Sequence, residues 1–197
     1  MSGEKSTPVS GPAAHINQRL DWAANAALGE LPTVAADHHR TGMRHLAAGV
    51  SIITTRDGET PVGLTATAVC SVTVDPPRMV VLVNKKVAAA DAILACGALC
   101  INVLSVGQAH LAKVFAGMVE GVFGPARFAH ASWSAGVTGA PVLEGALASF
   151  DCRVIKVFDE STHHALLCEV LSAAEPPGGE PLIYVNGAFC RVSPLEA

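Results

Sequence analysis

Pro61-Val62-Gly63-Leu64-Thr65-Ala66-Thr67-Ala68-Val69-Cys70-Ser71-Val72, then Asp75-Pro76-Pro77, then Met79-Val80-Val81-Leu82-Val83-Asn84-Lys85-Lys86, is the most informative run of this chain. It reads as two β-strands joined by a Pro-Pro turn. The first strand carries small hydroxyl and alanine side chains, and the second ends in a polar, basic group. Small side chains let a flat ring lie against backbone, whose amides can hydrogen-bond ring heteroatoms. An ammonium at a strand end suits a phosphate.

Around this stretch the signals stay mostly β. Val50-Ser51-Ile52-Ile53-Thr54-Thr55 is β-branched, and Asp57-Gly58 is a hairpin turn. A short helix over 88–95 stops at Gly97, and 98–104 is strand again. Residues 108–116 place Leu111, Val114 and Phe115 on one helical face, with Gly117 as cap. A loop-rich region runs to about Pro141. Long strands are expected over 145–158, 164–173 and 182–192. Upstream, Asp37 is a helix cap, with Met43, Leu46 and Ala47 on one face and Gly49 as its stop. Residues 1–36 differ from the rest and read as an arm, partly disordered or helical, with one short helix over 20–28. Residues 37–193 then form one domain. Strands outnumbering helices, with turns between them, indicate a mainly β antiparallel barrel covered by a few helices.

Composition sets the limits. The chain has 197 residues, 50% hydrophobic and 15% charged, with a net charge of -4. That length buries a proper core. The slight acidity, without any run of like charge, argues against a nucleic-acid partner. No apolar stretch approaches the ~20 residues of a membrane span. The N-terminus has no basic region followed by an apolar one, so a cytoplasmic location is expected. The six cysteines are scattered, with no Cys-x-x-Cys pair, which reads as thiols packed like small hydrophobes in a reducing compartment.

Several chemistries lack their residues. No Gly-x-Gly-x-x-Gly follows a strand, and Gly117, Gly121 and Gly124 have the wrong spacing for one. Gly-x-x-x-x-Gly-Lys, His-Glu-x-x-His and Gly-x-Ser-x-Gly are missing too. His38, His39 and His45 have no cysteine or carboxylate pattern beside them, so no metal site is expected. Without paired carboxylates, chemistry carried by a bound cofactor is the better expectation.

Eight segments in order resemble motifs of the flavin reductase-like family. They are 47–55, Gly63-Leu64-Thr65-Ala66-Thr67, Asp75-Pro76-Pro77, Val83-Asn84-Lys85, Ile101-Asn102-Val103-Leu104, 111–117, 141–148 and Asp151-Cys152-Arg153-Val154. The resemblance spans roughly 37–189. It implies an FMN-binding split β-barrel of antiparallel, Greek-key type that forms a homodimer with flavin near the interface. It also implies an NAD(P)H:flavin oxidoreductase that passes a hydride from nicotinamide to flavin N5. Reduced FMN or FAD then leaves for a separate flavin-dependent monooxygenase. Two other functions stay open: a non-catalytic flavin-binding redox sensor or carrier, and a corrinoid-type reductase.

By position, the family's flavin contacts fall on Pro61, Val62, Gly63, Leu64, Thr65, Thr67, Ala68, Leu82, Val83, Asn84, Lys85, Ala88, Ala89, Val114 and Phe115. Asn84, Lys85 and the start of the following helix would meet the phosphate. His163 matches a family histidine that positions NADH or NADPH. Tyr184, Val185, Asn186 and Gly187 match the segment that touches the dinucleotide. The chain departs from the family at Asn186, where an arginine is common, at His164, where a small or hydroxyl residue is usual, and at His39 and Ala47-Ala48.

Overall fold

The computed structural model describes residues 26–174, 178–193 and 195. The chain divides into two units, Met1–Arg40 and Thr41–Ala197. In the first lie helix α1 (Ala26–Glu30) and most of α2 (Ala36–Met43). Of the short helix expected over 20–28, and of the arm as a whole, residues 1–25 fall outside those described. α2 departs from expectation. It begins at Ala36, so Asp37 sits in the first turn, ion-paired to Arg40 at 2.6 Å, and no residue of the helix is buried. It also stops at Met43. Ala48–Gly49 forms strand β1 instead of a helix end, because a strand edge takes up its backbone groups.

The larger unit continues with β2 (Ser51–Asp57), β3 (Thr60–Ala66), β4 (Val69–Thr73) and β5 (Arg78–Asn84). Helix α3 (Ala88–Cys96), β6 (Ala98–Val103) and helix α4 (Ala109–Phe115) follow. The remaining strands are β7 (Trp133–Ala135), β8 (Pro141–Leu143), β9 (Ala148–Glu160), β10 (His163–Ala174), β11 (Ile183–Val185) and β12 (Ala188–Cys190). Seven strands form one antiparallel sheet in the order β3-β2-β6-β9-β10-β5-β4. Its two edge strands, β3 and β4, are neighbours in sequence, separated only by Thr67 and Ala68. The single strand expected over 61–72 is therefore broken in two, since the chain must turn a corner to cross from one sheet edge to the other.

Local chemistry explains the other boundaries. Gly58 takes φ +57 in the β2–β3 turn, and Gly97 takes φ +68 at the C-terminus of α3. The long strand expected over 182–192 is a hairpin, β11 and β12, turning at Asn186 (φ 56) and Gly187 (φ 83). Asn-Gly is the favoured pair for a two-residue turn with both φ values positive.

Side chains alternate across the sheet and feed two cores. Ile53, Leu64, Val81, Val83, Leu99, Ile101 and Leu166 fill the barrel beneath Ala89, Ala90 and Ile93 of α3. Ile52, one residue from Ile53, points the other way into a second core with Leu104, Val114, Phe115, Phe128 and Leu182. There Phe115 and Phe128 meet edge to face at 5.0 Å, and Trp133 lies 4.9 Å from Phe128.

Asn102, fully buried, knits the strands together. It donates to Ile52 O and Thr54 Oγ1, both at 3.1 Å, and accepts from Leu143 N at 2.8 Å and Ser149 Oγ at 3.1 Å. All six cysteines are free thiols. Burial pushes Cys100 and Cys168 up to about 12, and raises Cys152 as well. These three are thus protonated and unreactive at neutral pH. An aromatic disulfide reagent should label the exposed Cys70 and Cys96 promptly in native protein and reach Cys100, Cys152 and Cys168 only on unfolding. Prompt native labelling of the buried three would contradict this packing.

Candidate functional site

At the corner between β3 and β4 the regular ladder ends, and two adjoining cavities open there. One, of about 260 Å³, is lined by Leu64, Thr65, Ala66, Thr67, Ala68, Leu82, Asn84 and His163. The other, of about 140 Å³, lies between Val62–Leu64 on β3, Val87–Ala89 at the start of α3, Phe115–Ala116 at the end of α4, and Gly124 and Arg127. Leu64 belongs to both, so they are neighbours along the groove that β3 borders. Sheet pairing explains how His163 arrives, for it stands directly opposite Asn84 across β10 and β5.

Of the residues singled out in the sequence, Leu64, Thr65, Thr67, Ala68, Leu82, Asn84 and His163 share the first cavity. Val62, Gly63, Leu64, Ala88, Ala89 and Phe115 share the second. Others are placed elsewhere. Pro61 pairs with Arg56 away from both cavities. Val83 is fully buried in the barrel core and Val114 in the second core, so both hold the walls from behind. Tyr184, Val185, Asn186 and Gly187 belong to the small sheet β1-β11-β12, where Tyr184 packs on Phe189 at 5.3 Å. None of these four lines the groove of its own chain.

Polar contacts refine the picture. The Thr65 hydroxyl donates to Ala112 O at 2.7 Å, tying β3 to α4. Asn84 Oδ1 accepts from Lys86 N at 2.9 Å and shapes the turn after β5. His163 Nδ1 lies 2.8 Å from the Thr162 hydroxyl, which fixes the ring direction. The Lys85 ammonium is ion-paired with Asp159, and His164 Nδ1 is 3.2 Å from the same carboxylate. Hydrogen bonding from Lys85 holds the Asp159 carboxyl below the usual carboxylate range. His164, opposite Val83 while His163 is opposite Asn84, thus belongs to an ion-pair cluster outside the groove.

Gly63 has a purpose other than the one its small size suggests. A Cβ there would stand 2.9 Å from Ile53 O and 3.0 Å from the Phe115 ring. Its missing side chain lets Phe115 reach the strand and form a cavity wall. Sequence reasoning passed over Arg127, Gly124, Ala116 and Val87. Only Arg127 carried a signal, as a lone cation between a Gly-Pro turn and a buried aromatic.

The groove suits a ring with a phosphate tail. One end offers backbone, hydroxyls and an imidazole. The other offers the Arg127 guanidinium. The known proteins similar to this chain carry such ligands in their names. Residues 43–193 match the family model described as Flavin reductase like domain. An FMN reductase (NADH) RutF from Ancylobacter novellus is 39% identical over 169 residues, covering 86% of this chain and 92% of that protein. The structure of the Streptomyces globisporus NADH:FAD oxidoreductase SgcE6 superposes with a TM-score of 0.73 at 28% identity, over 83% of this chain and 99% of that one. BorF, the flavin reductase component of a bacterial two-component tryptophan halogenase, gives 0.73 at 29% identity, over 82% of this chain and 100% of that one.

Two expectations follow from this geometry. Gly63→Ala should cost about 1–3 kcal/mol of stability through overpacking, read as a lower denaturation midpoint with altered near-ultraviolet dichroism of the aromatic cluster. An unchanged midpoint would mean that Phe115 yields freely. Asp159, with its folded value depressed, contributes stability above the unfolded carboxylate value and loses it as pH falls through the folded value. Its carboxyl carbon should titrate below the ordinary aspartate range, and Lys85→Ala should return it upward. A titration indifferent to Lys85→Ala would remove the ion pair from the account.

Proposed function

The chain belongs to the flavin reductase-like family, and from that premise we propose that it is an NADH-dependent flavin reductase whose groove along β3 receives the flavin. The carrying observation is the shared cavity in which Thr65–Ala68, Leu82, Asn84 and His163 surround a space open to solvent on one side. NADH approaching from that open side would meet the flavin face beside His163. FMN is the flavin named for the RutF relative, and FAD is the alternative acceptor.

A bound flavin supplies the hydride-accepting centre, and no protein base is needed for that transfer. The chain's own residues do the placing. Backbone at 65–68, with no bulky side chain between it and the groove, gives a flat platform for a ring. Leu82, 40% exposed, supplies an apolar wall. His163 stands at the rim with its ring direction set by Thr162, in position to orient the nicotinamide. Holding two rings with reacting atoms about 3–3.5 Å apart removes several kcal/mol of barrier.

The product is reduced flavin, and the proposed consumer is a separate flavin-dependent oxygenase. The BorF likeness supports that pairing, since BorF is a component of a two-component system. A homodimer is part of the same proposal. Leu82 leaves apolar surface exposed on the barrel, and a second copy would cover it. A partner copy could also bring its own Tyr184–Gly187 hairpin toward the groove.

Purified protein mixed with NADH and FMN should consume the nucleotide rapidly and, without oxygen, bleach the flavin. Failure to oxidise NADH with either FMN or FAD would reject the reading. His163→Ala should raise KM for NADH by about fivefold, the size of one lost hydrogen bond, with a smaller change in kcat. A kcat collapse at unchanged KM would instead give His163 a chemical role.

A further inference from the structure

We propose that Asp159 and His164 are positioning residues for the reaction: with Lys85 they clamp the tip of the β9–β10 hairpin, and through that tip they fix the ring of His163 at the groove. The inference rests on the reductase reading and adds what holds its histidine in place.

The tip is two residues long, Ser161 and Thr162, between the paired Glu160 and His163. Ser161 takes φ 29, a left-handed value that strains a residue bearing a Cβ and persists only where its surroundings impose it. Glycine would relax there, and this chain has serine. The tip therefore needs support from outside itself.

Three contacts supply that support. Lys85 N donates to Thr162 O at 3.1 Å, which holds the backbone of the tip. The Lys85 ammonium is ion-paired with Asp159 of β9, which stands directly across from His164 of β10. His164 Nδ1, buried, lies 3.2 Å from Asp159 Oδ1, near enough for attraction although not aligned as a hydrogen bond. One carboxylate thus draws on a cation just past the end of β5 and on an imidazole of β10, and it ties three strands together at one end. A small or hydroxyl side chain at 164 would leave Asp159 with Lys85 alone.

The clamp reaches the groove through one residue. His163 follows Thr162 directly, and its Nδ1 lies 2.8 Å from Thr162 Oγ1. With Nδ1 spent on the tip, Nε2 is the ring nitrogen left for the cavity that His163 lines with Leu82 and Asn84. A ring held by its predecessor is only as steady as that predecessor. The two histidines divide the work because successive strand residues point to opposite faces. His163 is opposite Asn84 at the groove, and His164 is opposite the buried Val83.

The test is a double-mutant cycle on KM for NADH, with FMN as acceptor. Asp159→Ala, at an exposed position that tolerates the change, should raise KM about threefold, the scale of an exposed ion-pair cluster, with a smaller change in kcat. His163→Ala alone should raise it about fivefold. Because Asp159 acts through His163, the double variant should stay at about fivefold instead of the about fifteenfold product of independent effects. His164→Ala should reproduce part of the Asp159→Ala effect, and His164→Gln, which keeps a donor, should restore most of what His164→Ala loses. FMN affinity, read by flavin fluorescence, should hold at its wild-type value in Asp159→Ala and both His164 variants. Nuclear magnetic resonance of the ligand-free protein gives a readout apart from turnover. The His163 ring should give one sharp set of signals in wild type, and a shifted or broadened set in Asp159→Ala. Independent effects in the double variant, a fall in FMN affinity, or a His163 spectrum unmoved by Asp159→Ala overturns the proposal while the reductase reading stands. Wild-type protein that oxidises no NADH with FMN or FAD overturns the reductase reading, and the ring spectrum then still decides whether the clamp holds His163.

Discussion

Between Ala66 and Val69 the chain leaves one edge of a seven-stranded antiparallel sheet and joins the other. Laid flat, seven strands would hold their edges about 29 Å apart, since neighbours stand about 4.8 Å from one another. Three Cα steps reach only about 11 Å. The sheet has no choice but to curl until its edges meet. At that seam the ladder is incomplete: Leu82 N donates to Ala68 O at 3.0 Å, and regular pairing resumes only beyond it. Backbone groups not spent on a neighbouring strand are what a heteroaromatic ring needs, so closure of the barrel also creates the cavity proposed above as the flavin site.

The seam stays open because the material behind it is rigid. Val83 and Val114, both fully buried, anchor the two walls from opposite cores. Asn102 ties β2, β6, β8 and the start of β9 through four well-formed hydrogen bonds, a fully satisfied polar centre in an apolar setting. Asp151 accepts from Thr138 N and Thr138 Oγ1, which fastens the loop between β7 and β8. These contacts leave the groove bordered by strands and helix ends instead of long loops. Precision in placing two rings depends on that stiffness.

The sequence made the strand-rich barrel and its family legible, and the reasons for its failures are physical. Residues 61–72 look like one strand because nothing in a string of small and β-branched residues marks a change of sheet edge at Thr67 and Ala68. The Asn186-Gly187 turn was readable, yet the apolar run on either side of it dominated the pattern. Gly49 reads locally as a helix stop, although its neighbour Ala48 pairs with Tyr184, a contact from far along the chain that no local pattern announces. Charge partners were the least visible. Lys85 and Asp159 are brought together only by the β9-β10-β5 register, and Arg127 reaches the groove from a segment without periodicity. Local spacing reports faces and turns; it does not report who neutralises whom.

Pocket size bears on how the reaction can cycle. The two adjoining cavities, about 260 and about 140 Å³, together reach the lower end of the roughly 300–1,000 Å³ usual for small-molecule sites, and both open to solvent, so one chain encloses a flavin in part. Partial enclosure suits a ligand that must depart after reduction. A dissociation constant near micromolar, about -8 kcal/mol, permits exchange within turnover, whereas nanomolar binding would hold the product back. A second chain laid against Leu82 would add the missing wall without deepening the groove itself. Affinity could then be set by assembly, while the seam in each chain continues to set geometry. On this argument the shallow site is what a reductase that hands its product to another protein requires, and a deeper one would slow it.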